Sequence, residues 1–288
     1  MDWLANITLP YIIAAVTVLF VARMILGKYQ SAAAKSATEI VESALIAVVL
    51  VFLIIRPFVV QAFYIPSGSM RPTLLESDHI LVNKFLYRFH EPRHGDIVVF
   101  KSPPGASNDG QERDFIKRLI GAPGDVIRVT PGYVMINGTK YDRSELRALL
   151  SGESSSTYVI TVKLMKNGAI VDGRFLSTEQ FAERLGQKDA KGMKIVPGLV
   201  YRDGKAMDEP YTQEDPDKAY PNQTTNPEWL VKQDGLTQVK IPSGLLLVMG
   251  DNRNNSNDGR FWGLLERNRI VGKALVRFWP LNRLGLPR

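Results

Sequence analysis

The sequence predicts a mainly β protein, in which two N-terminal transmembrane helices precede a β-rich outer domain that carries a mixed α+β insertion. Two long apolar runs lie before residue 58 and predict the helices. After them, short runs of β-branched and apolar residues recur, among them HILVNKF, DIVVFKS and GLLLVMG. Turn dipeptides such as Pro123-Gly124 and Asn137-Gly138 separate these runs, which is the pattern of antiparallel strands.

The two apolar runs give the expected bounds of the helices. The first helix is expected within residues 1–27, where residues 9–26 are mostly apolar. The second is expected over residues 40–57, since every residue from Ala44 to Ile55 is apolar. A membrane-spanning helix needs about 17–25 mostly apolar residues, so both runs are long enough. A buried core helix is the alternative for the second run.

Basic residues predict how these helices are oriented. Arg23, Lys28 and Lys35 lie in or beside the segment 28–39, whereas no Lys or Arg precedes Arg23. Because basic loops stay on the cytoplasmic side, this segment is expected in the cytoplasm and residues 58–288 outside it. The small residues of SAAAKSA resemble a leader cleavage site, but the first run lacks the basic residues that open a cleavable leader.

The middle of the outer domain differs from its flanks. Residues from about 142 to 236 are more polar and less periodic, and they are expected to form a variable insertion subdomain. A helix is expected to begin at Ser144, in SELRALL. A second helix is expected in STEQFAERLG, where Ser177 and Gln180 have the spacing of a capping box and Gly186 is a stop signal.

Composition limits the classes of partner and metal site that the protein is expected to have. The 36 Lys and Arg residues against 29 Asp and Glu residues give a net charge of +7. A basic outer domain suits contact with the anionic headgroups of phospholipids, and a plain solvated surface is the equal alternative. No nucleic-acid motif or Lys/Arg-rich block occurs, so no nucleic-acid partner is expected. The absence of cysteine excludes disulfides and cysteine zinc sites.

A candidate nucleophile follows the second apolar run, in IPSGSMRPTL, residues 65–74. The segment has two serines around one glycine, but it lacks the GxSxG pattern of many hydrolases. The three histidines, His79, His90 and His94, lie in a polar stretch without the HExxH metal pattern, and we expect them to be solvated. The segment is therefore either a turn or a serine nucleophile that uses another base.

Lysine is the other base that a catalytic serine uses, provided that its amine is neutral. Burial among apolar groups lowers the pKa of a lysine from its usual value of about 10.4. In DFIKRLIGAPGD, a strand would place Phe115, Lys117 and Leu119 on one face. Lys117 is then either a buried base or a sheet-edge lysine that reaches water.

A third polar cluster, MGDNRNNSNDGRFWG, spans residues 249–263. It fails the calcium-loop pattern, because the third position from Asp251 is Arg253 and the sixth position from Asn255 is Arg260. Its mixture of Asp and Arg indicates a loop that is hydrogen-bonded internally. Such a loop would place one hydroxyl, that of Ser256, beside a buried base.

Four motifs together resemble a known family. IPSGSMRPTL, GDIVVF, RDFIKRLIGAPGD and GDNRNNSNDGRFWG occur in the order, and near the relative positions, of the motifs of type I signal peptidases, also called leader peptidases. The two expected helices match the two-span members of that family. The resemblance covers the helices and most of the outer domain and is weak over about 142–236. Four ordered motifs are specific together, whereas any one alone is weak.

The resemblance implies that Ser69 is the nucleophile and Lys117 the general base, without a metal or cofactor. The backbone N–H of Ser69 and the hydroxyl of Ser67 would form the oxyanion hole, and Ser256 would orient Lys117. Asp258 and Arg260 would brace the last loop. Further supporting positions would be Asp251, Asn252 and Arg253, and the pocket-lining positions would be Ile65, Met70, Leu74, Phe115 and Ile116.

The resemblance also implies a membrane-bound serine endopeptidase of the bacterial cytoplasmic membrane. It would remove signal peptides from exported precursor proteins by cutting after small residues at A-x-A sites, beside membrane phospholipids and the secretion machinery. One departure is Asp258-Gly259-Arg260, where the family usually has Asp-Ser-Arg. Two other classes stay open, a self-cleaving repressor-type Ser-Lys protease and a membrane-anchored β-domain that binds envelope ligands without catalysis.

Overall fold

Antiparallel strands dominate the computed structural model, which describes residues 9–29, 31–51, 59–107, 109–151 and 159–287. The α-helices are α1 Leu9–Leu26, α2 Ala32–Val49, α3 Arg143–Ser151, α4 Thr178–Arg184 and α5 Gly259–Trp262. The strands are β1 Val60–Tyr64, β2 His79–Asn83, β3 Ile97–Lys101, β4 Asp114–Gly121, β5 Val126–Thr130, β6 Tyr133–Ile136, β7 Thr139–Tyr141, β8 Val162–Met165, β9 Gly168–Val171, β10 Arg174–Ser177, β11 Met193–Val196, β12 Leu199–Arg202, β13 Lys205–Ala206, β14 Leu230–Gln233, β15 Leu236–Lys240, β16 Leu245–Met249, β17 Leu265–Glu266 and β18 Ile270–Trp279.

Helices α1 and α2 pack against each other, and Arg23 of α1 pairs with Glu42 of α2 at 3.3 Å. Among the described residues, no helix is long and apolar enough to cross a membrane. The expectation of two transmembrane helices, over 1–27 and 40–57, is therefore not supported. Residues 1–8 and 52–57 of those expected spans lie outside the described residues.

The bounds of the second helix differ from those expected. Helix α2 begins at Ala32, after the Ser31 cap, and so occupies most of the expected loop 28–39. This helix carries Lys35, Glu39 and Glu42, all of which precede the apolar run that begins at Ala44.

A seven-stranded antiparallel sheet holds the main sequence motifs. Its strand order is β1-β2-β18-β3-β4-β16-β17. Strand β1 leads into the SGSM turn, β4 carries Lys117, and β16 leads into the polar loop at 250–258. Since β4 and β16 are neighbours, the last two motifs are adjacent although far apart in the chain.

A five-stranded sheet, in the order β13-β12-β5-β15-β14, packs on the seven-stranded sheet. Ile127, Val129 and Val200 of the smaller sheet join Leu247 and Met249 of β16 in one buried cluster, and each is at most 2% exposed. Close packing of this kind leaves little freedom to the strands it covers. The end of β16, from which the polar loop departs, is therefore held on a rigid core.

A separate hydrophobic cluster joins the first part of the insertion to β6 and β7, which precede residue 142. Two three-stranded sheets, β11-β6-β7 and β10-β9-β8, enclose it together with α3 and α4. Both predicted helices are confirmed, α3 beginning one residue early at Arg143 and α4 having the Ser177–Gln180 capping box. Strands β12 to β14 instead belong to the five-stranded sheet. The interval 142–236 thus contributes both to a subdomain and to the main body.

The turn predicted at Asn137-Gly138 is present, and Asp203-Gly204 forms a second turn of the same kind. Asn137 and Gly138 have φ of 51° and 83°, and Asp203 and Gly204 have φ of 51° and 77°. Successive positive φ values define the tight turn that joins two antiparallel strands with their natural twist. These dipeptides therefore set the registers of β6 with β7 and of β12 with β13.

Candidate active site

Ser69 lies in a short 3₁₀ turn, Gly68–Met70, between β1 and β2. Met70 and Leu74 are fully buried and anchor this turn in the core. From the opposite side, the backbone N–H of Asn252 donates to the Ser69 carbonyl at 3.1 Å, and Asn252 Nδ2 donates to the Gly68 carbonyl at 3.1 Å. The turn is thus fixed on both sides while the Ser69 side chain is only half-buried.

Lys117 reaches Ser69 from strand β4. Its Nζ lies 2.8 Å from Ser69 Oγ and donates to the carbonyl of Ile116 at 3.0 Å. The residue is 5% exposed, and its Nζ lies 5.5 Å from the centre of the Phe115 ring. The strand prediction for Phe115 and Lys117 is confirmed, and the alternative of a lysine that reaches water is wrong for this structure.

Burial sets the protonation of Lys117. Loss of hydration disfavours the ammonium form and lowers the pKa of Lys117 to about 8, although the charges of Asp258 and Asp251 pull it upward. At that pKa about one molecule in ten carries a neutral amine at pH 7. With an ordinary lysine the fraction would be below about one in a thousand. The site can therefore supply a base near neutral pH.

An ion pair organises the polar loop after β16. The Asp258 carboxylate accepts from Arg260 Nε at 2.8 Å and Nη2 at 2.9 Å, and from the backbone N–H of Gly250 at 3.0 Å. Burial alone would raise the pKa of Asp258, but Arg260 and these hydrogen bonds lower it, so the carboxylate is ionised. Arg260 also donates to the carbonyl of Arg253 at 2.5 Å. The predicted internal pairing of this loop is confirmed.

A second buried ion pair ties the loop to β4. Arg118 donates to both carboxylate oxygens of Asp251, at 2.8 and 2.7 Å, and both side chains are at most 5% exposed. Thr73 Oγ1 donates to the same carboxylate at 2.5 Å. Because Asp251 precedes Asn252, this pair also holds the residue that clamps the Ser69 turn. Sequence reasoning missed the roles of Thr73 and Arg118, since a single Thr or Arg carries no motif.

Ser256 lies in the site without the expected contact. Its Oγ is buried and has no hydrogen-bond partner among the described residues, so it does not bond to Lys117 here. Ser256 is packed closely against Gly250. A Cβ at this glycine would collide with Ser256 Oγ and with the Ser69 carbonyl. Ser67 is exposed, and its side chain makes no capping hydrogen bond to the 3₁₀ turn. The roles assigned to Ser67 and Ser256 therefore stay predictions.

The five positions expected to line the pocket divide into two groups. Ile65, Met70 and Leu74 are at most 2% exposed and form one cluster, against which Ile116 packs. Phe115 packs against a different cluster, on the other face of β4. Three of the positions thus form the floor beneath the Ser69 turn rather than an open wall.

Gly259 stands where the related motif has a serine. A Cβ here would lie 2.9 Å from Leu247 Cδ1 and 3.0 Å from the Val248 carbonyl oxygen. Both contacts are tighter than ordinary van der Waals distance, and the second is with rigid backbone. The loop in this chain is therefore packed for glycine at that position.

The fold and this site define an antiparallel β-sheet protein in which a lysine amine lies within hydrogen-bond distance of a serine hydroxyl. The sequence pattern of the family "Signal peptidase, peptidase S26" matches residues 37–188 and 191–279. The chain belongs to this family. It is an enzyme, a serine endopeptidase of the signal peptidase I type.

Similar proteins agree with this family. A signal peptidase I from Leptolyngbya laminosa is 33% identical over 233 residues, covering 80% of this chain and 74% of that protein. A signal peptidase I from Aquifex aeolicus is 33% identical over 264 residues, covering 84% and 83%. A crystal structure of a signal peptidase I from Enterococcus faecalis, at 17% identity, covers 64% of this chain and 97% of that chain with a TM-score of 0.24, which is too low to bear on the fold.

We predict that Asp251→Asn destabilises the protein by about 3 kcal/mol, because it leaves Arg118 buried without a counter-charge. The control is Glu91→Gln, which removes the carboxylate 2.9 Å from Arg267 at an 83% exposed side chain and should cost below about 1 kcal/mol. Chemical denaturation of both variants measures the two losses. Equal losses would contradict the structural role given to Asp251.

Proposed function

We propose that this enzyme removes signal peptides from exported precursor proteins with Ser69 as nucleophile and Lys117 as general base. The observation that carries the proposal is the 2.8 Å separation of Ser69 Oγ and Lys117 Nζ, at an amine whose pKa is lowered to about 8. A serine hydroxyl becomes a useful nucleophile only when a base within hydrogen-bond reach takes its proton. Lys117 meets both conditions, of distance and of protonation.

The reaction would proceed in two halves. Neutral Lys117 takes the proton of Ser69 Oγ as this oxygen attacks the scissile carbonyl carbon, and the ammonium then gives the proton to the leaving amine. The acyl group is left on Ser69 as an ester. Lys117 next takes a proton from water as the water oxygen attacks the ester carbon, and the ammonium returns this proton to Ser69 Oγ as the carbon–oxygen bond breaks and the acid product leaves. Since Lys117 alternates between the two forms, a pKa near neutrality serves both halves.

In each half of the reaction the carbonyl oxygen becomes negatively charged, and it then requires hydrogen-bond donors. The Ser69 backbone N–H and the Ser67 hydroxyl are the proposed donors, as the sequence resemblance implied. In support, the Ser67 side chain is not used to cap the 3₁₀ turn, so it is available to a ligand. In a complex with substrate, the Ser256 hydroxyl would hydrogen-bond to the Lys117 amine. In support, this hydroxyl is buried and has no hydrogen-bond partner among the described residues.

The precursor would bind as an extended strand. Strand β1 is at one end of the seven-stranded sheet, and β16 pairs with β4 only at positions 118–121. The outer edge of β1 and the start of β4 therefore offer backbone groups to an added strand. Alternate side chains of that strand would meet Ile116, which packs on the apolar floor of Ile65, Met70 and Leu74, and the shallow space there favours the small residues of A-x-A sites.

The catalytic domain would act on the outer side of the bacterial cytoplasmic membrane, where signal peptides of exported precursors emerge. Membrane phospholipids and the secretion machinery would be its neighbours there. The basic balance of the chain, +7 overall, supports a location beside anionic headgroups.

We predict that Ser69→Ala lowers cleavage of a precursor by about a thousandfold or more, because it removes the nucleophile. Ser243→Ala, at an exposed serine of the same domain, is the control and should leave the rate unchanged. Cleavage is followed with a test precursor, and the unfolding transitions of both variants should match that of the parent. A loss below about tenfold in Ser69→Ala would contradict the assignment.

A further prediction concerns pH. Because only neutral Lys117 acts as the base, kcat/KM should rise with pH through a single group near pH 8. Lys117→Arg should be inactive, since a guanidinium stays protonated in this range. Joint replacement of His79, His90 and His94 by Gln should leave most activity. A rise centred near pH 6.5 that disappears with one histidine would show that the base is not Lys117.

Cleavage specificity gives another prediction. A precursor panel with Ala, Val, Leu or Phe immediately before the cut should show turnover of Ala at least about tenfold above Phe. The physical reason is that a shallow apolar floor accepts a methyl group, whereas a larger side chain clashes with packed residues. Equal turnover of Ala and Phe would exclude this model of the pocket.

A further inference from the structure

A polar segment outside all four motifs, residues 209–217, lies against the loop that follows β16. The backbone N–H of Gln213 donates to the Asp251 carbonyl at 3.1 Å, and that of Asp217 donates to Asn254 Oδ1 at 2.9 Å. Asn254 Nδ2 in turn donates to Glu214 Oε2 at 3.0 Å. The two segments are therefore held together along their length.

Glu209 makes the strongest of these contacts. Its two carboxylate oxygens accept from Arg253 Nη1 and Nη2, each at 2.6 Å, and the side chains of Glu209 and Arg253 are 9% and 0% exposed. Arg253 Nε donates to the Gly250 carbonyl at 3.1 Å. Gly250 lies where Ser256 and the Ser69 carbonyl meet. Through Arg253, Glu209 therefore holds the Gly250 backbone, which lies beside Ser69.

Tyr211 reaches the other side of the pair. Its hydroxyl donates to Glu209 Oε1 at 2.8 Å, and the guanidinium of Arg118 lies 3.8 Å from the centre of its ring. Arg118 follows Lys117 in β4 and grips Asp251 with two hydrogen bonds. A bidentate ion pair and a stacked guanidinium both hold a side chain in one orientation. Glu209 and Tyr211 thus link the two arginines that flank the site.

We propose that Glu209 and Tyr211 are positioning residues for the Ser69–Lys117 pair. They do not touch the reacting atoms, and they act by holding Arg253 and Arg118. The inference rests on the proposed function of that pair. Without Glu209, Arg253 would be a buried cation without its partner and would shift toward the remaining acceptors of the loop. A displacement of about 1 Å at a reacting group can cost about a hundredfold in rate.

The first test is Glu209→Gln in the full chain, with Glu228→Gln as the control. Glu228 belongs to the same insertion, and its side chain is exposed. We expect Glu209→Gln to lower kcat by about ten- to a hundredfold with KM within about threefold of the parent, and Glu228→Gln to change neither. The rates are divided by the folded fraction, obtained from denaturation curves. A merely structural role would lower the folded fraction and leave kcat per folded molecule unchanged.

The pH profile of the same variant adds an independent readout. The charges of Asp251 and Asp258 act on Lys117, whereas Glu209 pairs with Arg253, accepts from the Tyr211 hydroxyl and acts on Lys163 and His94. Removal of the Glu209 charge leaves the buried Arg253 guanidinium in the loop without its carboxylate, and this uncompensated positive charge disfavours the ammonium form of Lys117. The rise of kcat/KM should therefore shift to lower pH. Loss of folded protein alone would not shift it.

Tyr211→Phe is the milder variant, because it keeps the ring beneath Arg118 and removes only the hydroxyl. It should lower kcat per folded molecule by about three- to tenfold, and it decides the question if Glu209→Gln does not fold. The inference is overturned if the folded variants match Glu228→Gln within about twofold and show no shift in pH profile. Ser69→Ala, assayed in parallel, separates the two proposals, since activity in that variant would overturn the function of the pair itself.

Discussion

The removal of one lysine amine from water is the constraint on which the rest of this site depends. Lys117 is 5% exposed, and burial lowers its pKa to about 8. A carboxylate in direct contact would cancel this effect, because it would favour the ammonium form. The hydrogen-bond partners of Lys117 are instead neutral, the Ser69 hydroxyl and the Ile116 carbonyl. The site is built to keep negative charge from contact with the amine.

Two buried carboxylates nevertheless lie near enough to raise the pKa of Lys117, those of Asp251 and Asp258. Each of them has an arginine partner, Arg118 for Asp251 and Arg260 for Asp258. The pairing offsets their charge while their oxygens hold the loop and the Ser69 turn. Ionised carboxylates and a neutral lysine amine can thus lie in one site, because each carboxylate is paired with an arginine.

Part of this arrangement could be predicted from local patterns in the sequence. The alternation around Lys117 predicted a strand but left open whether the lysine is buried, and Asn137-Gly138 predicted a tight hairpin, because both depend on neighbours in the chain. The pairing of Ser69 with Lys117 came from the resemblance to a family, since no local rule joins residues so distant. Glu209 gave no signal, because its arginine partner lies in another segment. The start of α2 was missed because the Ser31 cap lies outside the apolar run.

A direct titration of the Lys117 amine tests the central claim most closely. The full chain, labelled with ¹³C in its lysine side chains, is followed by NMR from pH 6 to 11, and the Lys117 signal is assigned by its absence in Lys117→Arg. One εCH₂ signal should titrate near pH 8, well below the usual lysine value of about 10.4, and should belong to Lys117. Titration of Lys117 near pH 10.4 would contradict the account.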